Sequence, residues 1–436
     1  MRHVETRIRS GSAAGCHAQV EQPTITAMGR KVLLRRALWV IGPGLMVMLA
    51  DTDAGSVITA SQSGARWGFR LLVLQVLLVP VLYLVMELTV RLGITTGKGH
   101  AALIRERFGA GWAYVSVGTL LVSVVGALVT EFAGIAGAGQ LYGLSPALTV
   151  PLAAGLLVVL VATGGYRRVE VVGITLGLLE LVFVAAAIFA HPSGHEIVRG
   201  VTGGQPLGNS GYLSLVAANV GAVIMPWMLF YQQGAVVDKG LKDRHLRLAR
   251  IDTAVGALIT QLVMASVLVA TAAALDGQAG TRSLRSVGEI STALTPLLGG
   301  TASRVTRALG MVGAAFVAGI GVSLAAAWAV AEAAGKPGSL NERVRNAPLF
   351  YAIYTGLVIA GAAAVLASRS LVHLAVDVEI VNALLLPLVL GMLVLLARSA
   401  LPKPYRLSRP RQATVVLVTG TAILLGILWL SFALGL

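Results

Sequence analysis

Charge is scarce in this chain. Asp, Glu, Lys and Arg make up 12% of its 436 residues, whereas a soluble domain carries about 25%. An ordinary water-facing surface is thereby excluded. Cysteine is nearly absent too. Cys16 is the only one, which rules out a disulfide framework and a cysteine metal cage. No G-x-x-x-x-G-K-[ST] sequence occurs, so ATP is not the driver. No H-E-x-x-H sequence occurs: His191 and His195 stand four apart, but the acid, Glu196, follows the pair rather than lying inside it. Residues 1–30 are polar and basic and lack the apolar core of a signal peptide. They are expected to be a disordered cytoplasmic tail.

What the chain has instead is hydrocarbon. Hydrophobic residues make up 56% of it, and the mean hydropathy is +0.82. Apolar runs recur, each about the 20 residues needed to cross a bilayer. Barrel strands would instead give short alternating segments. The expectation is an all-α integral membrane protein, with residues 31–436 as one transmembrane domain. Eleven spans are read at about 34–65, 70–93, 112–141, 145–163, 171–190, 211–236, 248–275, 304–334, 347–367, 373–397 and 412–435.

The net charge of +15 would suggest nucleic acid in a soluble protein. In a membrane protein, basic residues gather in cytoplasmic loops. With a cytoplasmic N-terminus, the inside segments hold 25 Lys and Arg and the outside loops 8. The reading is a multi-pass protein of the cell membrane with its N-terminus in and its C-terminus out. It is expected to be a monomer whose partners are the lipid bilayer and a small ion, not nucleic acid.

The apolar run "ALWVIGPGLMVML" leads into "ADTDAGSVITASQSG", which begins at Ala50. Asp51, Asp53 and the helix breaker Gly55 therefore stand inside span 1. Span 6 is interrupted in turn at "GAVIMPWM", where Pro226 removes a helix hydrogen bond. The two breaks lie five spans apart. Five is odd, so residues of about 34–190 and 211–397 would form two inverted repeats, with an eleventh helix beside them. Matching interruptions in inverted halves point to a transporter binding site.

A break in mid-membrane frees backbone groups, and acids there are costly, at least a few kcal/mol each on insertion scales. A bound cation offsets both. Asp53 or Asp51 would supply charge, Ser56 a hydroxyl, Ala222 a carbonyl and Met225 a thioether. Thioether suits softer transition metals, and oxygen alone suits Mg²⁺ or Ca²⁺. Met225 could equally be simple packing.

Other polar residues fall in or near spans. Glu87 lies four residues before Arg91, which suits a helix-face ion pair. Gln232 and Gln233 follow the second break and either line a path or bridge helices. Asp377 and Glu379 are two apart and cannot both face one site; Glu379 is the choice. Glu180 has no local partner.

At the two breaks the chain resembles the NRAMP family of divalent metal transporters. That family has Asp-Pro-Gly-Asn in its first span and Ala-x-x-Met-Pro-His in its sixth. The stretch "GPGLMVMLADTDAGSVITASQSGARWGF" sets Asp53 on the motif aspartate, Gly55 on the glycine and Ser56 on the asparagine. "GAVIMPWM" sets Ala222, Met225 and Pro226 on the sixth-span motif. "ITTGKGHAALIRERFG", "YRRVE" and "VEIVNALLLPLVL" also match, with Glu379 where the family has a glutamine. The resemblance covers about residues 30–400. It implies a LeuT-like fold and transport of divalent cations.

The chain also departs from the motifs. Ala54 replaces the proline, Ser56 the asparagine, and Trp227 the histidine of the family's proton route. The acidic cluster of span 3 is reduced to Glu131. These changes are similar to the divergent magnesium-transporting branch, which moves a larger, partly hydrated ion without proton coupling. The expected function is import of Mg²⁺ or Mn²⁺ by alternating access, with weak or no proton coupling and no cofactor. The alternative is an amino-acid or other organic-solute carrier on the same fold, although two acids would repel a substrate carboxylate. An enzyme would need a nucleophile–base set or a metal cage, and neither is visible.

Overall fold

Span 1 divides where its sequence turns polar. In the computed structural model, which describes residues 39–275, 300–367 and 372–433, helix α1 (Pro43–Asp51) stops at Thr52 and α2 (Ala54–Trp67) starts after Asp53. Span 6 divides in the same way into α10 (Ser210–Val223) and α11 (Pro226–Asp238). Between them run α3 (Leu72–Thr96), the connector α4 (His100–Phe108), α5 (Ala110–Gln140) and α6 (Pro146–Thr163). Span 5 is α7 (Tyr166–Gly177) and α8 (Val182–Phe189), joined by a 3₁₀ turn at Leu178–Leu181, and a second connector, α9 (Gly194–Thr202), follows. The second half continues with α12 (Leu246–Ala274), α13 (Gly300–Ala334), α14 (Pro348–Ala367), α15 (Val372–Ser399) and α16 (Arg409–Ala433).

Among the described residues nine helical stretches are long and apolar enough to cross a membrane. The pieces of span 1 are too short to count singly, at 9 and 14 residues, and α16 completes the set. The broken-helix order recurs after five spans in the opposite direction, as the sequence led one to expect. The tail over residues 1–30 and the "GTRSLRSVGEI" loop lie outside the described residues. The short connectors α4 and α9 were not foreseen.

Spans 6 and 8 are mostly buried and spans 4 and 5 mostly exposed. Residues such as Leu152, Leu156, Ile188 and Ile359 are exposed and apolar. That is the pattern of a bundle whose outer helices meet lipid. This is a multi-pass membrane protein.

The start of α1 is held from three directions. Gly42, at a φ of 148° that suits glycine, lets the chain turn into the helix. Asp252 of α12 then accepts from the amides of Gly42 (3.1 Å), Gly44 (2.7 Å) and Leu45 (3.2 Å). These are donors that a helix start leaves without partners. The carbonyl of Ile41 accepts from Lys239 Nζ at 3.0 Å, and Lys239 pairs with Glu170 at 2.7 Å. Elsewhere the expected Glu87–Arg91 pair forms at 2.7 Å, and Arg250 joins it at 2.6 Å.

Asp252→Ala removes the acceptor of three amides. We expect a loss of about 1–3 kcal/mol of stability, read as a lower melting temperature, with Asp252→Asn recovering part of it. A melting curve for Asp252→Ala that overlays the wild type would refute this role.

Candidate functional site

The first break is a junction between the end of one helix and the cap of the next. Thr52 closes α1, its N–H on Leu49 O at 3.1 Å. Asp53, in extended conformation, is the N-cap of α2 and accepts from Ser56 N at 2.6 Å through Oδ1. Aspartate is a preferred residue for this position. A second amide at the helix start, Ala54 N, donates to Glu131 Oε2 of α5 at 3.2 Å. The positive end of the α2 dipole favours carboxylates there.

The second break faces the first. Ile224 ends α10, and Met225 is the extended residue before Pro226, which opens α11. The two breaks are tied together by Ser56 Oγ, which donates to Ala222 O at 3.1 Å. Close by, Asn219 joins α10 to α2 and α3, donating to Ser63 Oγ (2.8 Å) and accepting from Gln75 Nε2 (2.6 Å).

Glu379 of α15 comes over the start of α2. A Cβ at Gly55 would run into Glu379 Oε1, and a Cβ at Gly221 would run into the backbone of Glu379. Both positions need glycine for this approach. Glu379 Oε2 accepts from Asn382 Nδ2 at 2.9 Å. Asp377 is exposed, in keeping with the choice of Glu379 as the inward-facing acid.

The acids therefore converge, and some of their oxygens are left over. Asp51, Asp53, Glu131 and Glu379 are all buried. Asp51 Oδ1, Asp53 Oδ2 and Glu379 Oε1 have no hydrogen-bond partner. Among the described residues no three His, Cys, Asp or Glu side chains close into a ready-made metal cage. Any ion here would draw on carbonyls, hydroxyls or water as well. The apolar groove of about 350 Å³ between spans 3, 4 and 8, lined by Tyr142, Leu152 and Phe316 among others, is a separate feature and contains no acid.

The remaining sequence candidates fall into two groups. Met225 lies at the break with its sulfur engaged, since Trp227 Nε1 donates to Met225 Sδ at 3.2 Å. Trp227 is fully buried against Gly321 of α13. Gln232 donates to Thr253 Oγ1 of α12 at 2.8 Å, so it bridges helices, with Oε1 left unpaired. Gln233 likewise bridges, to Lys98 O and to His100. Three groups at the site were not singled out from sequence: Thr52, Thr130 and Thr260. Threonine gives no signal in an apolar helix, where its hydroxyl so often bonds its own backbone.

The contact between Gly55 and Glu379 can be tested by itself. Gly55→Ala should destabilise the protein by about 1–3 kcal/mol, as overpacking does. Glu379→Ala in the same chain should recover most of that loss, a coupling read from a double-mutant cycle. Additive effects would mean that the two residues do not touch.

The family model for natural resistance-associated macrophage protein-like (Nramp) proteins matches residues 44–431. A divalent metal cation transporter, MntH 1 of Pseudomonas aeruginosa, is 32% identical over 286 residues, which are 61% of this chain and 63% of that protein. The match thus spans less than two thirds of that relative's length. Among solved structures, a manganese transporter of Eremococcus coleocola, in complex with an aromatic bis-isothiourea substituted compound, superposes with a TM-score of 0.73 at 18% identity. It covers 95% of this chain and 89% of that one. MhsT in complex with L-phenylalanine superposes with a TM-score of 0.59 at 13% identity, over 89% and 97% of the two chains. At these identities the likeness is one of fold: two inverted five-helix repeats with helices 1 and 6 broken, as in LeuT-like transporters.

Proposed function

This chain belongs to the Nramp family, and on that premise we propose that it is a secondary transporter that imports divalent metal cations by alternating access. One observation carries the reading. Asp53 caps α2 with one oxygen and leaves the other, fully buried, with no partner. An unpaired carboxylate oxygen within a membrane calls for a cation. Asp53 is the principal ligand. Ser56 and the Ala222 carbonyl complete the reach of the site, Met225 borders it with its sulfur held by Trp227, and Asp51 acts through water. Gly55, Trp227, Glu131, Glu379 and Gln232 surround the path. The organic-solute reading is disfavoured by the acids themselves, which would repel a substrate carboxylate.

The ion is Mg²⁺ or Mn²⁺, and the hard oxygens of the first break favour Mg²⁺. The Trp227 indole supports this, because it occupies the Met225 sulfur that a softer ion would use. Trp227 is a donor only and takes up no proton, so coupling to protons is weak or absent. The membrane potential then drives entry, at about 2.3 kcal/mol per charge per 100 mV and about twice that for a divalent ion. The N-terminus is cytoplasmic and the functional unit is the monomer.

The test is uptake into proteoliposomes held negative inside, with a pH-sensitive dye in the lumen. We expect Mg²⁺ and Mn²⁺ to enter without acidification. Asp53→Asn, which keeps the capping oxygen, should fold as the wild type does and lose at least tenfold of the uptake. Normal uptake by this variant would overturn the site. Acidification that requires the metal and vanishes in Glu131→Gln would overturn the uncoupled reading.

Met225→Ala separates the ions. We expect Mg²⁺ and Mn²⁺ uptake to fall by similar factors. A loss confined to Mn²⁺ and Cd²⁺ would make the sulfur a ligand and Mn²⁺ the substrate.

A further inference from the structure

Glu180 belongs to neither motif and to no ion pair. It lies in the 3₁₀ turn that joins α7 to α8 in span 5. It is fully buried, and neither of its carboxylate oxygens has a hydrogen-bond partner within 3.5 Å, the Thr52 hydroxyl being the polar group beside it. An intramembrane acid in such a position is strongly disfavoured unless something answers its charge.

The packing of span 5 on span 1 decides what it faces. Gly173 and Gly177 are four residues apart on one side of α7. A Cβ at Gly173 would meet Met46 Cε at 2.6 Å, and one at Gly177 would meet Leu49 Cβ at 2.6 Å. Two glycines therefore let α7 lie directly on α1. Three residues beyond Gly177, Glu180 arrives beside Thr52 and within electrostatic reach of Asp53 and Asp51. Thr52 Oγ1 and Thr260 Oγ1 of α12 share a hydrogen bond of 2.6 Å. Thr260 is also the hydroxyl partner of Asp51, whose Oδ1 is unpaired. Spans 1, 5 and 7 thus bring two acids and two hydroxyls together on the α1 side of the break. Glu379 lies on the other side, over Gly55.

We propose that Asp51, Glu180, Thr52 and Thr260 form a second cation position beside the Asp53–Met225 site, taken by a divalent ion that keeps part of its water. The inference rests on the transport reading above and adds a stopping place to it. All four side chains offer oxygen and none offers sulfur, which suits Mg²⁺ and Mn²⁺. Two carboxylates with several retained waters is how Mg²⁺ is usually held. A second position also helps release. An ion held at one site only must escape the whole of its binding energy in one step, whereas two adjacent sites let one ion help displace the other.

The measurement is binding stoichiometry on the purified full-length chain, with Mn²⁺ followed by electron paramagnetic resonance and Mg²⁺ by titration calorimetry. We expect two ions per wild-type chain. Glu180→Gln should bind one, with affinity at that site within threefold of wild type, and its uptake should fall at least tenfold. This substitution is close to isosteric and removes an unpaired buried acid, so its melting temperature should equal or exceed that of the wild type. Thr260→Val provides a second route and should also weaken the second ion at least tenfold. A packing role for Glu180 would leave the stoichiometry unmoved. Two ions bound by Glu180→Gln, or one by the wild type, would overturn the second site alone. A wild-type chain that binds neither ion would overturn the transport reading and this site with it.

Discussion

The hydrocarbon of a bilayer offers a broken helix no hydrogen-bond partner. Every N–H and C=O freed there needs a partner from the protein itself. Most of this molecule's interior follows from that constraint. At the first break the partners are carboxylates: Asp53 takes the amide of Ser56 and Glu131 takes that of Ala54. At the second, the Ala222 carbonyl is met by the Ser56 hydroxyl. The first break thus supplies a donor to the second, while its own amides are met by Asp53 and by Glu131 of span 3. The polar residues that make the site are the same ones that make the interruption tolerable.

The same demand recurs at the far end of α1, where Asp252 collects three amides and Lys239 takes the preceding carbonyl. The two halves of span 1 share span 7, since Gly64 of α2 lies directly on the backbone of α12 at Leu268, but their other neighbours differ. α1 leans on spans 5 and 7 and on the end of span 6, through Gly173, Gly177, Asp252 and Lys239. α2 is met by Glu131 of span 3 and by Glu379 of span 10.

How much of this could be read in advance depended on what each residue costs when misplaced. The spans were legible because long apolar runs have no other use, and the breaks because acids and Pro226 are so unfavourable inside one. For that reason Asp53, Ser56, Ala222 and Met225 stand out together, and the fold ties Ser56 of the first break to Ala222 of the second. Helix geometry allows only one of Asp377 and Glu379 to face the site; it does not itself say which. Glu180 was visible as an anomaly, but its neighbours depend on how closely α7 lies on α1, a matter of two glycines whose role no local pattern announces. The hydrogen bond between Trp227 and Met225 depends on rotamers. Threonines 52 and 260 were silent, since a hydroxyl in an apolar helix is commonplace. Gln232, read as either lining or bridging, bridges.

The arrangement at Asp53 has an evolutionary side. Its two oxygens serve different ends, one closing the first turn of α2 and the other facing the site. An amide in its place would keep the first and give up the charge of the second. Purifying selection that acts through folding, trafficking or degradation would not notice the exchange. A lineage can therefore cross from carrier to silent look-alike in a single codon step, with no unstable intermediate to bar the way. Paralogues that persist as sensors, scaffolds or regulatory partners have an easy origin in a fold of this design.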